Sequence, residues 1–273
     1  MKRLAIIILN RNLPKVTDKL YNKLKKFNKN TDIYILESGS DKNLLTKNYT
    51  WYANWPSAKK KGLRFSRGMN YALVNLIKEN KFKLYDYFLL ITNDTEFENY
   101  SIKNKIDKIF NKHKKLGVLS PCSKNWGEIN YLKDKKLKYF WFIQNSALVI
   151  KRELIEKISD LSKPNYIDFL FDGNNFRGFG LEVELITKAY INDYCAGISR
   201  DIIISENESY LKDYYKVIKT DSYKKNKDKY VIEGKKWMKK KYGFNSKWSM
   251  HMYAKLFYDK FFDYNPELKK FRV

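Results

Sequence analysis

The chain has 273 residues, 44% of them hydrophobic, enough for one large α/β domain or two small ones and for folding alone. Its 55 lysines and arginines against 30 aspartates and glutamates leave a net charge of +25, a field that draws anionic partners: nucleotide-sugars, nucleic acid or acidic membrane surfaces. Only Cys122 and Cys195 occur, far apart, which excludes a disulfide framework or a zinc spacing and points to a reducing, cytoplasmic compartment, and no stretch approaches the length of a membrane span.

In chain order, LAIIILN is a continuous apolar run of the kind found in a parallel sheet covered on both faces. It follows two basic residues, but it is too short for a signal-peptide core and is read as a strand. Pro14 and Thr17–Asp18 start a helix with Leu20, Leu24 and Phe27 at helical spacing. TDIYILESGS supplies a second strand and RGMNYALVNLIKEN a crossover helix, and DYFLLITND is the next buried strand. FWFIQNSALVI reads as a strand and KRELIEKI as a helix. A loop rich in Gly and Asn, Asp172–Gly180, then enters the helix LEVELITKAYIND. A lysine-rich stretch from about Tyr210 reads as a basic tail, and WSMHMYAKLFYDKFF as a helix docking through Trp248, Met252, Leu256 and Phe257. The same basic, aromatic helix suits the surface of an anionic membrane as well. This order predicts an open, mostly parallel sheet flanked by helices, with a domain at 1–210 and a helical extension at 211–273. Ligands bind beyond the carboxyl ends of such strands, just after Asn10, Leu36 and Ile91.

Four segments carry chemistry. LLITNDTEF delivers Asn93, Asp94 and Glu96 to the mouth of the sheet, where hard oxygen ligands suit Mg²⁺ or Mn²⁺ bridging two phosphates. Asp94 is the preferred ligand, and Glu96 is expected on the same side of the segment. ILESGSDKN places Glu37 and Asp41 where carboxylates accept hydrogen bonds from ribose or base, although a surface turn uses the same letters. KKKGLRFSRGMNYAL sets Lys59–Lys61, Arg64 and Arg67 beside glycines ahead of a helix, an arrangement open to phosphate, with Asn70 a further polar contact. In FRGFGLEVEL, Glu182 stands at a helix start, as a base for an acceptor hydroxyl or as a favourable first-turn carboxylate. By position, Asp172 in its loop and Gln144 and Asn145 in the strand-like run are sugar or acceptor contacts. His113 and His251 pair with no nucleophile and are read as surface or packing residues. No GxGxxG or Walker pattern occurs.

Taken in order, these segments resemble the family 2 group of inverting GT-A glycosyltransferases, within the nucleotide-diphospho-sugar transferase superfamily, over nearly all of Lys2 to Phe244. ILESGSD is similar to that family's VDNGSxD element, GLRFSRGMNYAL to its GxxxGxNxG helix entry, LLITNDTEF to its DXD element, and GFGLEVELITKAYINDY to its GWGEDxDL segment. The resemblance implies a GT-A fold, a nucleotide-sugar donor (UDP-, dTDP- or GDP-linked), a glycan acceptor and a metal ion. It implies a donor site with Asn10, Glu37, Asp41, Arg67, Asn70 and Asn93, and Glu182 in the place of the catalytic aspartate. Glu206 stands where many relatives carry a metal-binding histidine, and a carboxylate there favours Mg²⁺ or Mn²⁺. Two rival readings are a basic nucleic-acid binder, with steeply salt-dependent affinity, and a non-catalytic glycan- or membrane-surface relative of the same fold. The ordered acidic motifs speak against specific nucleic-acid binding.

Overall fold

The computed structural model describes residues 2–133, 135–143 and 147–273. The first half alternates strands and helices: β1 (Leu4–Asn10), α1 (Pro14–Phe27), β2 (Asp32–Glu37), β3 (Trp51–Tyr52), α2 (Pro56–Lys61), α3 (Arg64–Lys78), β4 (Tyr87–Thr92), β5 (Thr95–Phe97) and α4 (Ile102–Lys112). The second half continues with β6 (Leu116–Ser123), α5 (Glu128–Leu132), β7 (Leu137–Tyr139), β8 (Ala147–Lys151), α6 (Arg152–Ile158), α7 (Leu181–Ile191), β9 (Cys195–Glu206), α8 (Ser209–Asp213), α9 (Tyr223–Tyr242) and α10 (Lys247–Tyr264).

The strands form one sheet in the order β3-β2-β1-β4-β8-β6-β9-β5, with β7 also paired to β9. β3, β2, β1 and β4 are parallel, and Leu4 to Ile8 are almost wholly buried, as the uninterrupted apolar run requires when helices cover both faces. Pro14 opens α1, where its missing N–H costs nothing. Gly68 lets α3 lie close on β1, since a Cβ there would fall 2.6 Å from Leu9 Cδ1.

Three expectations from the sequence are corrected. Among the described residues of the run FWFIQNSALVI, strand begins at Ala147 with β8, and Phe140 to Ile143 lie outside any strand; β8 runs antiparallel to both β4 and β6. Phe140 and Ile143 are buried from non-strand backbone, so their hydrophobicity reports core filling rather than ladder pairing. The basic stretch from Tyr210 is not a loose tail but part of a packed helical extension: α9 packs Trp237 and Met238 against Phe179, Val183 and Met250. α10 docks through Met250, Ala254, Tyr258, Phe261 and Phe262, leaving Trp248 at 73% and Leu256 at 53% exposure. Both series have helical spacing, and Tyr190 on α7 decides between them by ring contacts with Tyr258 and Phe261. His113 and His251 pack against Tyr139 and Phe142, the former also hydrogen-bonding the Tyr139 hydroxyl at 2.8 Å. Both cysteines are buried free thiols. Among the described residues no helix is long and apolar enough to cross a membrane.

Candidate functional site

Parallel register brings the carboxyl ends of three strands together, with Asn10 opposite Glu37 and Leu9 opposite Thr92. A crevice of about 260 Å³ opens at this edge, lined by Asn10, Asn93 and Asp94 and by the cations Arg11, Lys61, Arg64 and Arg177. The segment after α8 crosses its mouth. Asn12 Nδ2 donates to the Val217 carbonyl at 2.6 Å, Arg64 donates to Thr220 Oγ1 at 2.6 Å, and Lys219 pairs with Asp41 at 2.5 Å.

Arg177 is paired with Asp221 and Glu233, but Arg11, Lys61 and Arg64 have no ion pair among the described residues. Arg11 Nε is buried without a partner, and burial lowers the guanidinium pKa against the pull of Asp41. Burial, then the charges of Arg177 and Arg11, bring Arg64 down to about 10. Like charges held this close are relieved by an anion in the crevice. Gly62 makes the packing possible: its φ is +68°, and a Cβ would sit 2.1 Å from Arg11 Nη1.

Asp94 leaves β4 in a turn and accepts a hydrogen bond from Thr92 Oγ1. Burial raises its pKa, the Thr92 hydroxyl lowers it, and the charge of Glu206 raises it further. Glu206 reaches this position because Thr95 pairs with it across β5 and β9, and its Oε1 accepts from Trp126 Nε1 at 2.9 Å. Among the described residues no three His, Cys, Asp or Glu side chains form a ready cation cage. Asp94 lines the crevice and Glu206 does not, but the charge of Glu206 reaches Asp94, so these two carboxylates are the hard oxygen ligands this edge offers a cation shared with phosphates. Glu96 does not join them. The turn at Asn93–Asp94 breaks the strand alternation, and Glu96 lines a separate crevice with Lys19 and Lys23.

Several residues expected to touch a nucleotide build the scaffold instead. Both Glu37 oxygens are filled from within the chain: Asn10 Nδ2 donates to each at 3.0 Å, Thr46 N donates to one at 2.8 Å and Ser40 Oγ to the other at 2.5 Å. No lone pair is left for a ribose. Burial raises the Glu37 pKa, opposed by these same hydrogen bonds. Asn70 is equally saturated, donating to the Phe171 and Tyr166 carbonyls and accepting from Leu170 and Phe171 N–H, so it fastens the 166–171 loop to α3. Asp41 is tied to Lys219 and Asn12 beside the crossing segment. Arg67 donates to the Gly173 carbonyl at 2.7 Å and lines a larger neighbouring cavity rather than this crevice. Asn10 and Asn93 do face the crevice, joined by an Asn93 Nδ2 to Asn10 Oδ1 bond of 2.7 Å.

At the start of α7, Gly180 takes the left-handed conformation and sends Glu182 and Glu184 to different partners. Glu184 accepts from Lys241 and the Tyr242 hydroxyl, each at 2.6 Å. Asp172, expected to meet the acceptor, is bound to Trp237 Nε1 and Lys241 instead. Burial raises its pKa, but these partners and the Asn174 N–H outweigh it, holding the carboxyl down at about 2. Glu182 is buried, with Lys247 Nζ 3.5 Å away. Burial raises its pKa and Lys247 offsets part of the rise. It lines neither the crevice nor the larger cavity. Gln144 and Asn145 lie outside the described residues.

Arg11 and Arg177 were missed as site residues by reading the sequence. Arg11 had a usable signal, standing directly after the carboxyl end of the first strand. Arg177 lies 166 positions later in number and is brought in by the loop before α7.

No protein-family model matches the chain, and no curated protein matches it. Solved structures do. The mannosyltransferase PcManGT from Pyrobaculum calidifontis, in complex with GDP-Man and Mn²⁺, superposes with a TM-score of 0.51 at 12% identity, over 75% of this chain and 56% of that one. S. aureus TarS 1–349 in complex with UDP-GlcNAc gives 0.53 at 14% identity, over 89% and 73%. GalNAc-T7 with UDP, GalNAc and Mn²⁺ gives 0.54 at 9% identity, over 96% and 56%. The chain thus spans little more than half the length of PcManGT and of GalNAc-T7. At such identities the likeness establishes the fold: a GT-A architecture, with a curled, mostly parallel sheet flanked by helices.

Proposed function

We propose that this chain is a glycosyltransferase that moves a sugar from a UDP-, dTDP- or GDP-linked donor to a glycan hydroxyl, with inversion. The observation that carries the reading is the crevice at the carboxyl edge of a GT-A sheet, where Asp94 stands beside Arg11, Lys61 and Arg64, which have no ion pair among the described residues. The donor complexes of structures sharing the fold support it.

Asp94 and Glu206 are the residues that would hold Mg²⁺ or Mn²⁺, which when bound supplies positive charge to the donor diphosphate. Arg11, Lys61 and Arg64 attract and orient the diphosphate and stabilise the negative charge it gains as it leaves. Asn10 and Asn93 hold the rim against which it sits. Glu182 is the base in this reading. Because it is buried and lines neither space in this structure, the start of α10 has to move aside and open it to the acceptor. It then takes the hydroxyl proton as that oxygen attacks the anomeric carbon. The bond from that carbon to the diphosphate oxygen breaks, and its electron pair leaves with the nucleoside diphosphate. A single displacement of this kind inverts the centre. A carboxyl raised by burial is the better proton acceptor, and Lys247 has to part from Glu182 as the acceptor docks.

The test is a thermal-shift series with UDP-, dTDP-, GDP- and CMP-sugars, with and without Mn²⁺ or Mg²⁺, on the native chain and on Asp94→Ala. One nucleotide class at about a hundred times its Kd should stabilise the native chain by about 2.7 kcal/mol. That gain should require the metal and vanish in Asp94→Ala. No shift with any donor on the folded protein would overturn the proposal.

A further inference from the structure

Beside the donor crevice lies a larger cavity of about 750 Å³, and Lys61, Arg64, Arg177 and Thr220 line both. Nine lysines and arginines line it against two carboxylates, Asp221 and Glu233. Those two are already engaged: Arg177 pairs with Asp221 at 2.7 Å and with Glu233 at 2.5 Å, and Lys229 also pairs with Asp221. Lys60, Lys61, Lys236 and Lys240 have no ion pair among the described residues, which leaves the cavity strongly positive. Its wall also carries apolar surface. Phe176 is ringed by the guanidiniums of Arg64, Arg67 and Arg177 at 5.9, 5.1 and 6.0 Å from its centroid, and Trp237 lies on the same lining.

We infer that this cavity receives the acceptor, and that the acceptor is an anionic saccharide bearing phosphate or carboxylate groups. The inference rests on the glycosyltransferase reading and adds the acceptor class to it. Unpaired cations select the charged groups, and an aromatic wall suits the apolar face of a sugar ring. The shared rim sets such an acceptor next to the donor crevice. A concave cavity of this volume fits a saccharide rather than a nucleic-acid duplex or a flat bilayer.

The experiment is ligand-observed NMR and calorimetry without nucleotide, using glucose 6-phosphate and glucuronate as probes and glucose as the neutral control. The native chain is compared with Lys236→Glu/Lys240→Glu. The charged probes should bind about ten-fold or more tightly than glucose, and the double variant should lose about ten-fold in that affinity with its melting curve and donor thermal shift unchanged. Equal affinity for charged and neutral sugars, or an unaffected variant, overturns the inference. So does binding confined to phosphatidylglycerol vesicles or to an oligothymidylate, which would assign the cations to a membrane or to nucleic acid. If the charged probes bind as stated while no nucleotide-sugar stabilises the chain, the anion cavity stands and the glycosyltransferase reading falls.

Discussion

Glu37 at the end of β2 and Glu182 in the first turn of α7 are both buried, and burial raises the pKa of each, but their surroundings differ. The β1–β2 region surrounds its glutamate with Asn10, Ser40 and the Thr46 N–H, so every acceptor site is used. The α7 region gives Glu182 a single ion-pair partner among the described residues, Lys247 at 3.5 Å. A carboxylate saturated with donors fixes a loop, whereas one with a long, solitary contact keeps its affinity for a proton. Burial alone does not separate a structural carboxylate from a chemical one; the count and reach of its donors does.

The sharpest break of this contrast is Glu182→Gln. Transfer should fall by about 10²- to 10⁴-fold. Stability should stay within about 1 kcal/mol and the donor thermal shift should persist. Because the raised carboxyl has to be ionised to act, the acid limb of kcat/KM against pH should lie above the ordinary glutamate range and vanish in the variant. Unchanged turnover would remove Glu182 from the chemistry.

Glu37→Leu tests the other side. It strands the Asn10 amide, the Ser40 hydroxyl and the Thr46 N–H, and urea unfolding should show a loss of about 3 kcal/mol. A loss under about 1 kcal/mol would mean that the network does not hold the loop.

The pH dependence of stability distinguishes these carboxylates from Asp172, whose folded pKa of about 2 lies below the unfolded value. Its contribution, about 2 kcal/mol, is complete above about pH 4 and is lost as pH falls towards 2. Asp172→Asn should flatten this acid limb in chemical denaturation. Glu37 and Glu182 act in the opposite sense: their raised folded pKa values mean that stability is gained as pH falls through them. The smallest effects concern α10. Tyr258→Phe removes the hydroxyl that accepts from the Val273 N–H at 2.8 Å and should cost about 1 kcal/mol. Trp248→Ala, on the exposed face, should stay within about 0.5 kcal/mol.

The parallel strands of the first half and the helix entries at Pro14 and Leu181 were legible in the sequence, because they are encoded locally in unbroken apolar runs, a first-turn proline and a glycine before a helix. The same is true of the edge where Asn10, Asn93 and Asp94 gather, since strand order alone dictates which ends lie together. What only the tertiary structure decided was the partner of each polar side chain. Glu37 and Asn70 look like ligand contacts until the loops that saturate them are folded on, and Glu96 looks like a neighbour of Asp94 until the turn sends it elsewhere. Arg177 joins the crevice, and the α10 face carrying Met250 is buried rather than the one carrying Trp248, through contacts between segments far apart in the chain. A residue's type limits the bonds it can make, but which groups come within reach to make them is set by packing.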